Sequence, residues 1–252
     1  MFASERHQMI FDQLQMHGKV LVKDLSKQFN VSEDCIRKDL KQLEFQGKCK
    51  RAYGGATLRE SSVDHNVFER KDKDIAAKKE VAKKAFDVIE NGETIFLDVS
   101  TTNILVAQLL AESDKKLIVI SNMIEILQVL AKNSNLTVIG TGGSVNLELN
   151  GFIGSVTMAM LSKHNFSKCF IGTTGIDYET NQLTTFDMDD GFIKETVINN
   201  SEKSYILMEN KKFGMLGTYK YIDIDTIDYI ISNDKIEDKY NNYLKEHHVE
   251  LI

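Results

Sequence analysis

Five short polar stretches in this sequence each follow a brief apolar run. Thr94-Ile-Phe-Leu97 leads into Asp98-Val-Ser-Thr-Thr102, Leu117-Ile-Val-Ile120 into Ser121-Asn122, and Leu136-Thr-Val-Ile139 into Gly140-Thr-Gly-Gly143. Lys168-Cys-Phe-Ile171 leads into Gly172-Thr-Thr-Gly175, and Ser204-Tyr-Ile-Leu-Met208 into Glu209-Asn-Lys-Lys-Phe-Gly214. Hydroxyls and backbone N–H groups that open a helix make a ready anion site, and Ser100, Thr101 and Thr102 stand where such a helix would start. Each stretch alone is weak, since D-x-S-T-T also reads as a plain N-cap and G-T-G-G as an ordinary turn. Five at the same end of successive apolar runs favour a cleft for a small polar anion. The spacing is not G-x-G-x-x-G, and no acidic residue ends a suitably placed second strand, so a dinucleotide site is set aside.

A second chemistry lies near the start, over residues 31–47. Ser32 is a good N-cap, Glu33 and Asp34 suit the first turn of a helix, and Gly47 stands where one would stop. Ile36, Leu40 and Leu43 form one apolar stripe, while Arg37, Lys38 and Lys41 make the other face basic. A short helix of this kind suits the DNA major groove, which is about 12 Å wide. By itself it reads equally as a surface helix with a solvated face.

The elements that must position these residues follow from periodicity. Residues 5–16 read as a helix with Met9, Ile10, Gln13 and Leu14 along one side, Val20–Val22 as an extended piece, and Asp24–Phe29 as a second helix. Helix, tight turn, helix is the helix-turn-helix pattern. Residues 48–56 are basic and end in Gly54-Gly55, which reads as a β-hairpin wing. From Ile75 onward, the five apolar runs and a last strand at 229–231 alternate with helices at 75–90, 103–112, 123–132, 151–163 and 188–200; a final helix covers 235–247. That alternation implies βαβ crossovers and a mainly parallel sheet, with ligands beyond the C-terminal strand ends. The expected domains are 1–57, a polar linker over 58–74 in which Val67 and Phe68 could alternatively pack as an extra strand, and 75–252.

Composition sets the outer bounds. The chain has 252 residues, 42% hydrophobic and 27% charged, which is ordinary for a globular protein. No apolar run is long enough to span a bilayer, and the N-terminus has no signal-peptide core, so a cytoplasmic protein with no membrane partner is expected. Cys35, Cys49 and Cys169 give neither a disulfide framework nor a zinc pattern, and no metal or other cofactor is expected. The net charge of −6 divides into +3 over residues 1–56 and −9 over the rest, so the basic footprint is local.

Residues 31–56 resemble the DeoR-type winged helix-turn-helix, whose pattern runs V-S-x-x-T-I-R-R-D-L-x-x-L-E-x-x-G and continues to a basic wing ending H-G-G-A. Val31, Ser32, Ile36, Arg37, Asp39, Leu40, Leu43, Glu44, Gly47, Arg51, Gly54, Gly55 and Ala56 match. Cys35 stands where the family usually has Thr and loses a hydroxyl; Lys38 replaces an Arg and loses its planar fork; Tyr53 stands where His is frequent. The resemblance extends over nearly the whole chain, because the second half looks like the DeoR effector domain, similar in fold to ribose-5-phosphate isomerase and acyl-CoA transferases. Phe68-Glu69-Arg70, the 98–102 run, Ser121-Asn122, Gly142, Gly143, Gly172, Gly175, Lys194 and Lys212-Phe213-Gly214 match, with Glu209 in place of the usual Asp.

The resemblance implies a small winged helix-turn-helix domain followed by a Rossmann-like α/β domain that binds a phosphorylated sugar. On this reading Ser32, Cys35, Arg37, Lys38, Lys41, Arg51 and Tyr53 face double-stranded operator DNA. Ser100, Thr101 and Thr102 hold phosphate oxygens, Lys212 and Lys194 neutralise their charge, and Asp98, Asn122 and Glu209 meet sugar hydroxyls. A non-enzymatic regulator is expected, most simply a repressor of a sugar-utilisation operon acting as a homodimer or homotetramer on repeated half-sites. The alternative is a sugar-phosphate isomerase carrying a DNA-binding-like appendage, with Asp98 or Glu209 as its base and Lys212 beside it. His247-His248 reads as a solvated helix end rather than a metal site.

Overall fold

The computed structural model describes residues 3–45, 49–58 and 67–252 and divides into two compact units, Met1–Asp64 and His65–Ile252. The first unit runs α1 (Ala3–His17), β1 (Lys19–Leu21), α2 (Val22–Phe29), α3 (Glu33–Phe45), β2 (Cys49–Ala52) and β3 (Gly55–Leu58). Ser32 Oγ accepts the Cys35 N–H at 3.2 Å, which is the N-cap expected for α3. Ile36, Leu40 and Leu43 are buried against Ile10, Leu14, Val20 and Leu25. Burial of each such side chain contributes roughly 1.5–3 kcal/mol, which fixes the opposite face of α3 outward. Met9, expected on the inner side of α1, is instead largely exposed. The wing turn is Tyr53-Gly54, with Gly54 at φ +81; Gly55 has already entered β3, where a Cβ would strike the Val20 carbonyl oxygen. Gly47 lies outside the described residues.

The second unit opens with α4 (Val67–Lys71) and α5 (Ile75–Asp87), so part of the expected linker is structured. Val67 is fully buried in the core, and its N–H donates to the Glu148 carbonyl at 2.8 Å; Phe68 is exposed. There follow β4 (Thr94–Leu97), α6 (Thr101–Ala111), β5 (Ile118–Ser121), α7 (Ile124–Leu130), β6 (Thr137–Gly140), β7 (Ser144–Asn146), β8 (Gly151–Ile153) and α8 (Ser155–Leu161). The chain continues with β9 (Phe166–Gly172), β10 (Gly175–Asp177), β11 (Gln182–Thr185), α9 (Met188–Asn199), β12 (Ser201–Leu207), β13 (Tyr219–Asp223), β14 (Tyr229–Ile231), α10 (Asp238–Glu246) and β15 (Glu250–Leu251).

The central sheet has seven strands in the order β15-β14-β12-β9-β4-β5-β6, all parallel. Its two faces bury different sets of residues. Ile95, Leu97, Val119, Phe170 and Leu207 join α5, α6 and α7 on one side; Phe96, Ile120, Ile171 and Ile206 join α8 and α9 on the other. This alternation of side chains on strands buried on both faces explains why they read as continuous apolar runs.

Two features differ from expectation. Residues 151–163 are not one helix: Gly151–Ile153 pairs with Ser144–Asn146 as an antiparallel hairpin before α8 begins. Gly151 permits this, because a Cβ there would meet the Asn122 carbonyl oxygen at 2.9 Å. A second, antiparallel sheet, β10-β11-β13, covers the α9 side. Among the described residues, no helix is long and apolar enough to cross a membrane.

Candidate functional site

In the first unit, α3 presents Arg37, Lys38 and Lys41 to solvent, opposite its apolar stripe. Arg37 is held by its own helix, with Nη1 donating to Asp34 at 2.6 Å and Nη2 to Glu33 at 2.7 Å. Arg51 on the wing is held similarly: its Nε donates to Glu44 Oε2 at 2.7 Å and its backbone N–H to Glu44 Oε1 at 2.9 Å. Arg37, Arg51, Tyr53 and Gly54 line one groove between α3 and the wing, and Tyr53 is fully exposed. Ser32 stands exposed at the helix start. Cys35 points differently from the basic residues: it is half-buried, and its Sγ accepts from Arg6 Nη2 at 3.3 Å.

In the second unit, the strand order reverses between β4 and β9, with β5 and β6 built outward on one side and β12 and β14 on the other. The crevice outside such a switch point is where doubly wound sheets bind ligands. A cleft opens there, lined by Ser100 after β4, by Gly172 at the end of β9 and by Lys212 after β12. Ser100 N-caps α6, accepting the Thr102 N–H at 3.2 Å. Lys212 lies in the 3-10 turn Asn210–Gly214, donates to the Thr173 carbonyl at 3.2 Å and pairs with Glu209 at 2.9 Å. Burial would raise the Glu209 carboxyl, but Lys212 and Lys78 outweigh it and hold it below the usual range.

The cleft floor carries a buried ion triad. Lys194 on α9 pairs with Asp98 Oδ2 and lies 3.0 Å from Asp190 Oδ1, one helical turn before it. Asp98 is fully buried, and its Oδ2 also accepts the Gly172 N–H at 2.9 Å. Burial pushes the Asp98 carboxyl up to about 6, against the pull of Lys194 and with the push of Asp190. Burial lowers the Lys194 ammonium, but its two carboxylates more than reverse this and raise it above the usual lysine value.

Of the twelve residues expected at the ligand, the structure brings Ser100, Gly172, Lys194 and Lys212 to the cleft wall. Asp98 lies beneath that wall, bound to Lys194. Thr101 and Thr102 are buried in the first turn of α6, and the Thr102 N–H is occupied by the Ser100 cap. Asn122 holds the β7–β8 hairpin, donating to the Phe152 carbonyl at 3.3 Å. Gly142 accepts Thr157 Oγ1 at 2.7 Å, and a Cβ on Gly143 would lie 2.2 Å from that oxygen, so this pair seats α8. A Cβ on Gly175 would lie 1.8 Å from the Met215 carbonyl oxygen, so this glycine seats the Lys212 turn. Glu209 is buried behind Lys212. Sequence reasoning did not single out Thr185, Asp187 and Asp190, or Asn146 of the hairpin, all of which line the cleft; nor did it give a role to Arg70, which lines it too. The T-T-x-D-x-x-D run at 184–190 was the available signal: hydroxyls and acids opening a helix. Among the described residues, no group of three His, Cys, Asp or Glu side chains is placed to hold a metal ion.

These two sites coincide with two recognised domains. Residues 6–62 match the DeoR-like helix-turn-helix domain, and residues 73–234 match the DeoR C terminal sensor domain. The chain is 29% identical to the uncharacterized HTH-type transcriptional regulator FruR of Bacillus subtilis, over 100% of this chain and 99% of that one. It is 28% identical to the glycerol-3-phosphate regulon repressor of Escherichia coli strain K12, covering 98% of each, and 26% identical to the lactose phosphotransferase system repressor of Lactococcus lactis, covering 94% and 92%. Among solved structures, ribose 5-phosphate isomerase A of Methanocaldococcus jannaschii overlaps 54% of this chain and 53% of its own with a TM-score of 0.40 at 16% identity, a likeness that carries no functional argument. The chain belongs to the DeoR family of DNA-binding transcriptional regulators.

Proposed function

We propose that this regulator represses a carbohydrate-utilisation operon and is released from its operator by a phosphorylated sugar. The observation that carries the ligand class is the switch-point cleft, which opposes the capped helix start at Ser100 and the Lys212 ammonium to a floor of buried carboxylates. Phosphate suits the first and sugar hydroxyls the second. The names of two relatives, a glycerol-3-phosphate regulon repressor and a lactose phosphotransferase system repressor, support the same class.

DNA recognition is assigned to Arg37, Lys38 and Lys41 of α3 with Arg51 and Tyr53 of the wing. Ligand sensing is assigned to the unit that begins by Val67, because Val67 is core and Arg70 lines the cleft. The two functions couple by linkage: a ligand that prefers one state of the sensor weakens DNA binding by the same factor by which DNA weakens the ligand. A homodimer or homotetramer supplies the paired half-site contacts that one winged helix lacks. We place the protein in the cytoplasm, where operator and sugar phosphates meet. A binding role rather than isomerase catalysis is favoured by Asp98, since a carboxylate buried beneath the cleft wall and bound to Lys194 is poorly placed to abstract a substrate proton.

Titration of the full chain against its own upstream DNA, with a panel of sugar phosphates added, tests the proposal. Release by one phosphorylated sugar and not by its unphosphorylated parent is the expected result. DNA binding insensitive to every sugar phosphate would overturn it.

A further inference from the structure

We propose that Asp190 is a specificity-determining residue: its carboxylate accepts a hydroxyl of the ligand at the cleft floor, so that the site selects a polyhydroxylated phosphate ester over bare phosphate. This rests on the reading of the cleft as a phosphorylated-sugar site.

The case begins with the helix that carries the residue. Asp187 N-caps α9 by accepting the Asp190 N–H at 2.9 Å, which fixes the first turn; Asp190 and Lys194, four residues apart, then share one face. Both are buried, at 3% and 2% exposure, and both line the cleft. Asp190 Oδ2 accepts the Thr185 hydroxyl at 2.7 Å. Oδ1 is different. Lys194 stands 3.0 Å away, close enough to neutralise its charge, yet Oδ1 has no hydrogen-bond partner. The ammonium is thus an ion-pair neighbour of Oδ1 whose angles do not make a hydrogen bond to it.

Buried carboxylate oxygens without a hydrogen bond occur at Asp98, Asp190 and Glu209 among the described residues, and of these three only Asp190 belongs to the cleft wall. A buried acceptor left unpaired is costly, and a donor brought by the ligand satisfies it.

The same triad excludes phosphate from this end. One ammonium faces two carboxylates, Asp98 and Asp190, so the Lys194 charge is already matched. A phosphate dianion placed there would meet a net negative floor; a neutral hydroxyl would meet a carboxylate oxygen that has no hydrogen bond of its own. The phosphate goes to the Lys212 end, and Lys194 becomes a positioning residue that holds Asp190 and Asp98 apart. A site built to bond a hydroxyl discriminates strongly against a ligand without it.

Equilibrium titration of the full chain tests this with inorganic phosphate, glycerol 3-phosphate, fructose 1-phosphate and fructose 6-phosphate as probes. Wild type is expected to bind at least one ester at least tenfold more tightly than inorganic phosphate. Asp190→Asn should shrink that ratio at least fivefold while holding or improving affinity for inorganic phosphate, since a negative charge has left the floor. A wild-type ratio near one, an unchanged ratio in Asp190→Asn, or equal weakening of phosphate and ester would each overturn the proposal. Lys212→Met separates the two readings: it should weaken ester and phosphate alike, and if it weakens neither, or wild type binds no probe, the cleft assignment itself fails. Should Asp190→Asn not fold, deoxy analogues of the preferred ester decide on wild type alone. Loss of one hydroxyl must then cost at least tenfold, and a series with no such position refutes the role.

Discussion

The Arg6 guanidinium forks onto the Asp39 carboxylate, Nε donating to Oδ2 at 2.5 Å and Nη2 to Oδ1 at 3.0 Å, and so ties α1 to the helix that carries the basic face. Both side chains are buried, and His7 Nε2 lies 2.9 Å from the same carboxylate. Burial alone would raise the Asp39 carboxyl; the hydrogen bonds from Arg6 and His7 prevail and hold it below the ordinary range. Removing one partner strands a buried charge, so Arg6→Ala should destabilise the N-terminal unit by about 3 kcal/mol. Arg6→Lys keeps the charge without the fork and should recover only part of this. Urea denaturation followed by circular dichroism reads both, and an Arg6→Ala loss under 1 kcal/mol, the ~0–1 kcal/mol range of a surface pair, would mean the fork is loose in solution.

The two arginines facing the groove between α3 and the wing are pre-paired with carboxylates, whereas no ion pair engages Lys38 or Lys41 among the described residues. Lysines in that state could contact phosphate without first giving up a partner. Lys41→Ala should weaken binding to all duplexes evenly and lower the salt slope by about one. Arg37→Ala should in addition relax sequence preference. The check is a fluorescence titration on operator and scrambled duplexes at several salt concentrations; an Arg37→Ala protein with intact preference would remove this residue from base reading.

Close backbone approach gives a third test. The Lys212 turn rests on Gly175, with no room for a methyl group below the Met215 carbonyl. Backbone cannot yield as a flexible side chain does, so Gly175→Ala should displace the turn and weaken phosphate-ester binding at least tenfold, as misplacement of a binding group by about 1 Å does. Gly172→Ala meets the Ser100 side chain instead, at 2.8 Å from its Cβ, and should disturb the α6 cap. Calorimetric titration separates the two from Gly92→Ala, outside the cleft: the added Cβ meets nothing within 4 Å there, and the strain of φ +82 should lower stability without weakening ligand binding.

Much of this architecture was legible in the residues. The stripe Ile36-Leu40-Leu43 is buried as its spacing required, and the run at 94–97 is β4 to the residue, because a strand buried on both faces leaves no polar interruption. The hairpin at 144–153 was hidden for the opposite reason. Its strands are three residues each, and Val145 and Leu147 are exposed, so no inward alternation marks it. At the cleft, the polar stretches after β4, β9 and β12 converge as the switch-point rule demands, but the rule does not say which side chain in each turn faces inward. Asp98 proved to be the anchor of Lys194, while the acids lining the cleft include Asp187 and Asp190; the place of Asp190 depends on the Asp187 cap and on β11, an element of the second sheet that the βαβ pattern did not announce.

The ion triad makes the sensor unit's stability depend on pH in an unusual direction. Asp98 titrates at about 6 in the folded protein because burial outweighs Lys194, whereas an unfolded aspartate titrates near ~3.9. The folded state thus binds this proton more tightly than the unfolded state does. The stability Asp98 contributes is fully present below about pH 4 and is lost as pH rises through about 6. Glu209, held low by Lys212 and Lys78 despite its burial, acts oppositely: its contribution is present above its unfolded value and is lost as pH falls through its folded one, in more acid solution. The two windows adjoin, so the raw profile mixes them, and the difference between wild type and Asp98→Asn isolates the first. That difference should slope between about pH 4 and 6, by no more than ~1.4 kcal/mol per pH unit, and run level above 7. A difference curve that is flat from pH 4 to 6 would mean that Asp98 stays ionised throughout, with Lys194 prevailing over burial. The floor would then carry its full negative charge at every working pH and would exclude phosphate over that whole range, whereas protonation of Asp98 would weaken the exclusion.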